Sequence, residues 1–372
     1  MKIIADRNIP YLKGIAEYFG EVTYLDGAAF THQTIKDADT LIVRTVTRFD
    51  EHLLKDTNVK LICSATIGYD HIDTIYCEAN GITWKNAPGC NSGSVMQYII
   101  SSLITISRNK GFDLKEKTIG IVGVGNVGKK VAKACEILGL RVLLNDPPRQ
   151  EVGDGEDFVA LETIMAEADI ITFHTPLTKE GIYKTYHLAN DSFFSSLKKN
   201  PIIINSARGG IIETSAIKKA IRENKISGAV IDCWENEPQI DLEYMDMVDI
   251  ATPHIAGYSA DGKANATRIS LDSIADFYGL NREPISLVRE PTPEDSVIDL
   301  DKFDNSDNRI YSAILKTYDP INDFVNLKAS PDAFKQLRNN YPLRREYFAY
   351  SIKNASVEEV IRLQGLGFKI AY

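Results

Sequence analysis

One stretch constrains this chain more than any other: Gly120-Ile121-Val122-Gly123-Val124-Gly125-Asn126-Val127-Gly128. An apolar run, Thr118–Val122, enters it and a helical run, Lys129–Leu138, leaves it. Gly123 permits the tight turn out of the strand, Gly125 removes a side chain that would block a pyrophosphate, and Gly128 lets the helix lie close to the strand. The free N–H groups and positive dipole end of that helix favour an anion. A glycine triplet alone is often only a tight turn, but the flanking strand and helix predict a dinucleotide-binding βαβ unit. The next strand ends at Asn145-Asp146, and Asp146 lies at the offset expected of an acid that holds a ribose. Its carboxylate would repel a 2′-phosphate, so the expected cofactor is NAD. The bland alternative is a strand-end Asp that caps a loop.

Around this unit short apolar runs alternate with helical patterns, which implies parallel sheets covered by helices. Lys2–Ala5, Val22–Tyr24, Thr40–Val43 and Leu61–Ser64 read as strands of a first series. Thr118–Val122, Arg141–Leu144, Ile170–Phe173, Ile202–Asn205, Ala229–Ile231 and Val248–Ala251 read as strands of a second. Long helices are expected over Ser94–Arg108, stopped at Gly111, and over Ser259–Tyr278. Two lobes with a cleft between them follow, and small ligands favour such interfaces. Residues 290–308, with Pro291, Pro293 and many acids, read as a linker or exposed loop. Beyond it, Ser330-Pro331 suits a helix start, Ser356 and Glu359 suit a capping box, and Gly365 suits the end of the last helix. No internal repeat is visible. The expected architecture is α/β: two Rossmann-like, doubly wound parallel-sheet lobes plus a small α+β C-terminal domain. Residues 1–93 and 256–284 would form a substrate domain, 94–255 the cofactor domain, and 285–372 the last.

Length and charge are consistent with this reading. A chain of 372 residues suits two or three domains. A net charge of −9 argues against a nucleic-acid binder, which needs a basic face. Cys63, Cys77, Cys90, Cys135 and Cys233 form no C-x-x-C pair and are expected to be reduced thiols of a cytoplasmic protein, with a reactive role conceivable at Cys90. Neither a cleavable leader nor a membrane span is expected.

Three strand ends carry residues suited to oxidising a 2-hydroxy acid. They are Asn205-Ser206-Ala207-Arg208-Gly209-Gly210, Asp232-Cys233-Trp234-Glu235-Asn236-Glu237-Pro238, and Thr252-Pro253-His254-Ile255-Ala256-Gly257-Tyr258. The guanidinium of Arg208 can grip a carboxylate. Loss of hydride from C2 leaves a hydroxyl proton, for which His254 is a natural base. Glu237 can orient and stabilise the resulting imidazolium. Taken singly, each has a structural explanation; their appearance together after a dinucleotide loop favours a catalytic Arg208, Glu237 and His254. The scattered histidines suggest no metal.

Together with His174-Thr175-Pro176-Leu177-Thr178, these segments resemble the D-isomer-specific 2-hydroxyacid dehydrogenase family. The resemblance implies that Arg208 binds substrate and that His254, partnered by Glu237, carries the proton. It also implies an NAD site lined by Gly123, Gly125, Asn126, Val127, Gly128, Asp146, Thr175, Ser206, Ala207, Arg208, Asp232 and Gly257. The loop Asn86-Ala87-Pro88-Gly89-Cys90-Asn91, Tyr258 after Gly257, and the tail with Tyr318-Asp319 and Leu337–Glu346 resemble one subgroup. That likeness implies a small phosphorylated 2-hydroxy acid, substrate contacts from Thr45, Thr66 and Tyr258, and a C-terminal dimerisation domain giving a homodimer. Tyr311, Tyr318, Phe324, Phe334, Tyr341, Tyr347, Phe348 and Tyr350 look too numerous for that module's own core and are expected to help the dimer. Arg44 and Arg48 are further candidates for the phosphate. The competing readings are a dehydrogenase for glycerate, lactate or phosphoglycerate, and a non-catalytic NAD-sensing protein of co-repressor type.

Overall fold

Runs rich in isoleucine and valine become strands covered on both faces, as parallel sheets require. The computed structural model describes residues 1–155, 157–304 and 308–371 and divides into two compact units. One comprises Met1–Asn91 with Ser259–Thr292, the other Ser92–Tyr258 with Pro293–Tyr372.

The first unit holds β1 (Lys2–Asp6), β2 (Glu21–Leu25), β3 (Thr40–Val43), β4 (Leu61–Ser64) and β5 (Thr83–Lys85) in the parallel order β2-β1-β3-β4-β5. The helix Ala260–Tyr278 starts at Ser259, whose Oγ accepts from the Gly262 N–H at 2.8 Å. Its Ala264, Leu271 and Ile274 pack on Ile3, Ile42 and Leu61. The edge strand β5 is absent from the sequence reading because Thr83-Trp84-Lys85 is too short to show an alternating pattern.

The second unit is built on β6 (Thr118–Val122), β7 (Arg141–Asn145), β8 (Ile170–Phe173), β9 (Ile202–Asn205), β10 (Gly228–Ile231) and β11 (Ile250–Ala251), in the parallel order β11-β10-β9-β8-β6-β7. The chain runs from β6 out to β7 and then returns to the other side of β6 for β8. That reversal makes a switch point beyond the carboxyl ends of β6 and β8, where doubly wound sheets bind ligands.

Residues 293–372 contribute directly to this unit's core. Their Ile310, Ile314, Tyr318, Tyr347, Ile352 and Leu363 share one cluster with the helix Ser92–Lys110 and the helix Asn126–Leu138. This explains why Ser92–Lys110 is buried nearly all round. Three expectations need correction. Residues 290–304 are more than a loop, and 305–307 lie outside the described residues: β12 (Val297–Asp299) pairs in parallel with β13 (Ser351–Lys353), which pairs with β14 (Lys369–Ile370), because Ile298 is drawn into the core. The last helix, Val357–Leu366, begins with the expected Ser356–Glu359 capping box but ends at Gly367 in a left-handed conformation. Gly365 instead lets that helix approach Ile137. The aromatics of this region are mostly consumed inside the chain: Tyr311, Tyr318, Phe334, Tyr347 and Tyr350 are buried. These five supply no surface for a partner, whereas Phe348 is exposed.

Candidate functional site

At the end of β6, Gly123 takes a left-handed conformation, φ 91°, against the backbone of His174 and Thr175. A side chain on Gly128 would collide with the Gly123 carbonyl oxygen, so strand, turn and helix are as close as backbone allows. Gly125 faces open space where a Cβ would stand. Asp146 Oδ2 accepts from the Val124 N–H at 2.8 Å, tying the end of β7 to the glycine turn. Its Oδ1 caps the short helix Pro147–Glu151. The capping role is therefore real, and it also fixes the carboxylate beside the turn. Arg149 reaches back to the Val124 carbonyl and to Asp154.

Two buried hydroxyls, Thr175 Oγ1 against the turn and Ser206 Oγ at the end of β9, find no hydrogen-bond partner among the described residues. Such groups are costly unless something satisfies them. An open glycine cradle, a fixed carboxylate and two orphaned hydroxyls fit the polar edges of a dinucleotide.

The loops after β9, β10 and β11 converge. Asn205 builds the first: its Oδ1 accepts from the Ala207 N–H at 3.1 Å and its Nδ2 donates to the Arg208 carbonyl at 2.9 Å. A side chain on Gly209 would strike the Trp234 carbonyl, so only glycine lets the Arg208 loop touch the next one. In that second loop Glu237 Oε1 accepts from the Trp234 N–H at 2.7 Å, while Oε2 meets His254 Nδ1 at 2.7 Å. Only Nε2 of His254 is left to exchange a proton. His254 sits at φ 55°, a conformation costly for a non-glycine residue.

Asp232 is the post that holds this geometry. Fully buried, it accepts from Thr252 Oγ1 at 2.6 Å, the Ile255 N–H at 2.7 Å and the Ala256 N–H at 3.0 Å. Its own carbonyl accepts from the His254 N–H at 2.8 Å. Burial pushes the Asp232 carboxyl up, opposed by the His254 charge and by these hydrogen bonds. Tyr98 OH meets Thr252 Oγ1 at 2.8 Å and Trp234 Nε1 donates to the Thr252 carbonyl at 2.9 Å, locking the third loop from below. Cys233 lies within the Glu237–His254 cluster. Burial, then the charges of Asp232 and Glu237, push its thiol well up, and the charges of Arg208 and Arg338 oppose them.

Two features escape sequence reasoning. His187, at φ 53°, pairs Nε2 with Glu235 Oε1 at 2.7 Å, and Glu235 Oε2 accepts from the Thr214 N–H at 2.9 Å. Arg338, from the helix Phe334–Asn339, stands with its guanidinium over the Tyr258 ring, 5.5 Å from the centroid. Neither has a local motif; both arise from segments far apart in sequence. His174 differs from His254: loss of hydration pushes its pKa down to about 3, and its partner is Thr172 Oγ1 at 3.0 Å. Its burial keeps it neutral, and no carboxylate among the described residues is bonded to it as Glu237 is to His254.

In the first unit, Thr66 Oγ1 meets Ser64 Oγ at 2.7 Å and donates to the Gly68 carbonyl at 2.9 Å. Thr45 is exposed at the end of β3. The Asn86–Asn91 loop is bound to the Thr66 loop through Asn86 Nδ2 to the Ile67 carbonyl, 2.7 Å, and the Ala87 N–H to the Thr66 carbonyl, 3.0 Å. Arg44 forks onto buried Asp6, Nε–Oδ2 3.0 Å and Nη2–Oδ1 3.2 Å, while Arg48 pairs with Asp50 at 3.4 Å. All five cysteines are buried and none forms a disulfide. No described helix is long and apolar enough to cross a membrane.

A family profile described as D-isomer specific 2-hydroxyacid dehydrogenase, NAD binding domain, matches residues 101–256, and a domain of unknown function matches residues 291–367. The chain is 51% identical over 353 residues to an erythronate-4-phosphate dehydrogenase of Bacteroides fragilis, covering 95% of this chain and 99% of that protein. It is 53% identical over 355 residues to the one of Bacteroides thetaiotaomicron, with the same coverage, 95% and 99%. Among solved structures, the cofactor-bound 3-phosphoglycerate dehydrogenase of Entamoeba histolytica superposes with a TM-score of 0.63 at 28% identity, over 75% of this chain and 95% of that one.

Proposed function

The chain belongs to the erythronate-4-phosphate dehydrogenases of the D-isomer-specific 2-hydroxyacid dehydrogenase family, and from that premise we propose the following reaction. The enzyme oxidises 4-phospho-D-erythronate at C2 to (R)-3-hydroxy-2-oxo-4-phosphooxybutanoate with NAD, a step towards pyridoxal 5′-phosphate. The observation that carries the chemistry is the His254 Nδ1–Glu237 Oε2 contact of 2.7 Å at converging strand ends of the sheet that also carries the glycine turn.

NAD, when bound, accepts the hydride that leaves C2. Gly123, Gly125, Asn126, Val127 and Gly128 would cradle its pyrophosphate, Asp146 its ribose, and Thr175, Ser206, Ala207, Asp232 and Gly257 its nicotinamide half. As hydride departs, His254 Nε2 takes the C2 hydroxyl proton and C2 becomes a ketone. Glu237 fixes the ring by its Nδ1 and neutralises the charge gained. Arg208 holds the carboxylate and the C2 oxygen. Thr45, Thr66 and Tyr258 would contact the rest of the substrate through hydroxyls. In domain terms we read residues 1–93 and 256–284 as substrate-binding, 94–255 as NAD-binding, and 285–372 as the module of a homodimer. With its burial accounted for, the dimer rests on the family likeness. A cytoplasmic location accords with five cysteines outside any disulfide.

The test is a substrate panel with NAD, read by nicotinamide absorbance. The reading requires 4-phospho-D-erythronate to be used at least tenfold better than D-erythronate, D-glycerate or D-lactate. Equal turnover of an unphosphorylated acid rejects the substrate while leaving the dehydrogenase chemistry intact. No turnover of any 2-hydroxy acid would favour the sensor reading.

A further inference from the structure

A phosphorylated acid carries two anionic ends, and Arg208 can meet only one. We propose that Arg338, from the C-terminal region, binds the phosphate monoester and sets the preference for it; this rests on the substrate proposed above. Arg338 belongs to the same compact unit as His254, Glu237 and Arg208. Its guanidinium lies over Tyr258, four positions after His254, and Tyr258 is held edge-on by Tyr341 at 5.8 Å. The charges of both Arg208 and Arg338 act on the Cys233 thiol, inside the Glu237–His254 cluster. The buried Nε of Arg338 has no hydrogen-bond partner, and among the described residues no carboxylate pairs with it.

Other arginines are paired or enclosed. Arg44 forks onto Asp6 and Arg48 pairs with Asp50. Arg309 forks onto Glu359. Arg344 also has an unpartnered Nε and Nη1, but it is enclosed in the core, its Nη2 bonded to the Ala256 carbonyl and its guanidinium over Tyr318 at 4.4 Å, with Asp323 accepting from Tyr318 OH and Tyr341 OH. Arg338 keeps a planar fork beside the catalytic cluster without a counter-charge, an arrangement suited to a phosphate. Geometry divides the two anions. The carboxylate is one bond from C2 and falls to Arg208. Four bonds of about 1.5 Å separate C2 from phosphorus, placing it roughly 5 Å away, within reach of a group that approaches through Tyr258.

The test compares wild type, R338M and R338K with 4-phospho-D-erythronate and with D-erythronate, and measures competitive inhibition by inorganic phosphate. R338M should lose about 10- to 150-fold in kcat/KM on the phosphorylated acid, the range of one charge-assisted hydrogen bond. The loss should lie mainly in KM. Its activity on D-erythronate should stay within about twofold, and phosphate inhibition should weaken in parallel. R338K should recover part of the phosphate preference. Equal losses on both substrates would mean that Arg338 only supports Tyr258, and would overturn the assignment. An undiminished phosphate preference in R338M overturns it as well. A wild type indifferent to the phosphate overturns the substrate reading itself, which separates the two failures.

Discussion

Replacing Glu237 by glutamine changes one atom and should nearly silence the enzyme. Glu237 serves two donors, the Trp234 N–H through Oε1 and His254 Nδ1 through Oε2, each at 2.7 Å. Glutamine offers one acceptor and one donor. The Trp234 N–H is backbone and can only donate, so pointing the amide NH₂ at it would strand a donor at about 1–3 kcal/mol. The imidazole can adapt: its proton moves to Nε2, and Nδ1 accepts from the amide. The glutamine oxygen therefore takes Trp234, and His254 is held in the tautomer that cannot accept the substrate proton. In a serine protease the equivalent acid-to-amide change costs about 10⁴ in kcat. A loss of roughly 10³–10⁴ is expected here in the oxidation direction, with KM for NAD little changed. Glu237→Ala removes the orienting bond but leaves the ring free to choose its tautomer, so it should lose less, about 10²-fold. Initial rates with 4-phospho-D-erythronate decide the matter. E237Q within tenfold of wild type, or E237A slower than E237Q, would refute the tautomer argument.

Asp146 should make NAD strongly preferred over NADP, and Asp146→Ala should narrow the gap while weakening NAD binding, because the Val124 N–H loses its acceptor; kcat/KM for both cofactors measures this, and equal wild-type use of the two rejects it. Removing residues 293–372 takes away Ile310, Ile314, Ile352 and Leu363 and uncovers their cluster partners on the helix Ser92–Lys110, among them Tyr98, Ile99 and Leu103, each aliphatic side chain worth about 1.5–3 kcal/mol of burial. The truncated chain should be insoluble or expanded by light scattering, and a soluble truncated chain with native near-ultraviolet circular dichroism would contradict the shared core.

The parallel sheets were legible because their strands are buried on both faces, which writes a continuous apolar run into the sequence. β3, β4, β6, β8 and β9 fall where the sequence reading placed them. Short strands leave no such trace: Thr83-Trp84-Lys85 has polar ends, and Val297-Ile298-Asp299 lies among acids and prolines that outweigh one buried isoleucine. The aromatic residues after position 309 misled for a related reason. Composition counts apolar groups but does not say which surface they cover, and here that surface is the helix Ser92–Lys110.

At the candidate site, the legible residues were those whose chemistry is written in their own loop. Gly123–Gly128, Asp146, Glu237 and His254 sit in motifs whose spacing is set by a single turn. Arg338 has no such context, because it reaches Tyr258 from a helix eighty positions later. Asp232 was legible as part of a segment but not as a support: its three accepted bonds come from Thr252, Ile255 and Ala256, residues of another strand end. The same buried carboxylate explains how His254 can keep its left-handed backbone, since the N–H groups on either side of the turn are bound to one residue. The cost of the conformation, on the order of 1–3 kcal/mol, is offset by charge-assisted bonds of about 1.5–3 kcal/mol each. The backbone at His254 is thus held independently of Glu237, whose carboxylate orients the ring through Nδ1. This is why the two Glu237 substitutions separate proton position from ring position.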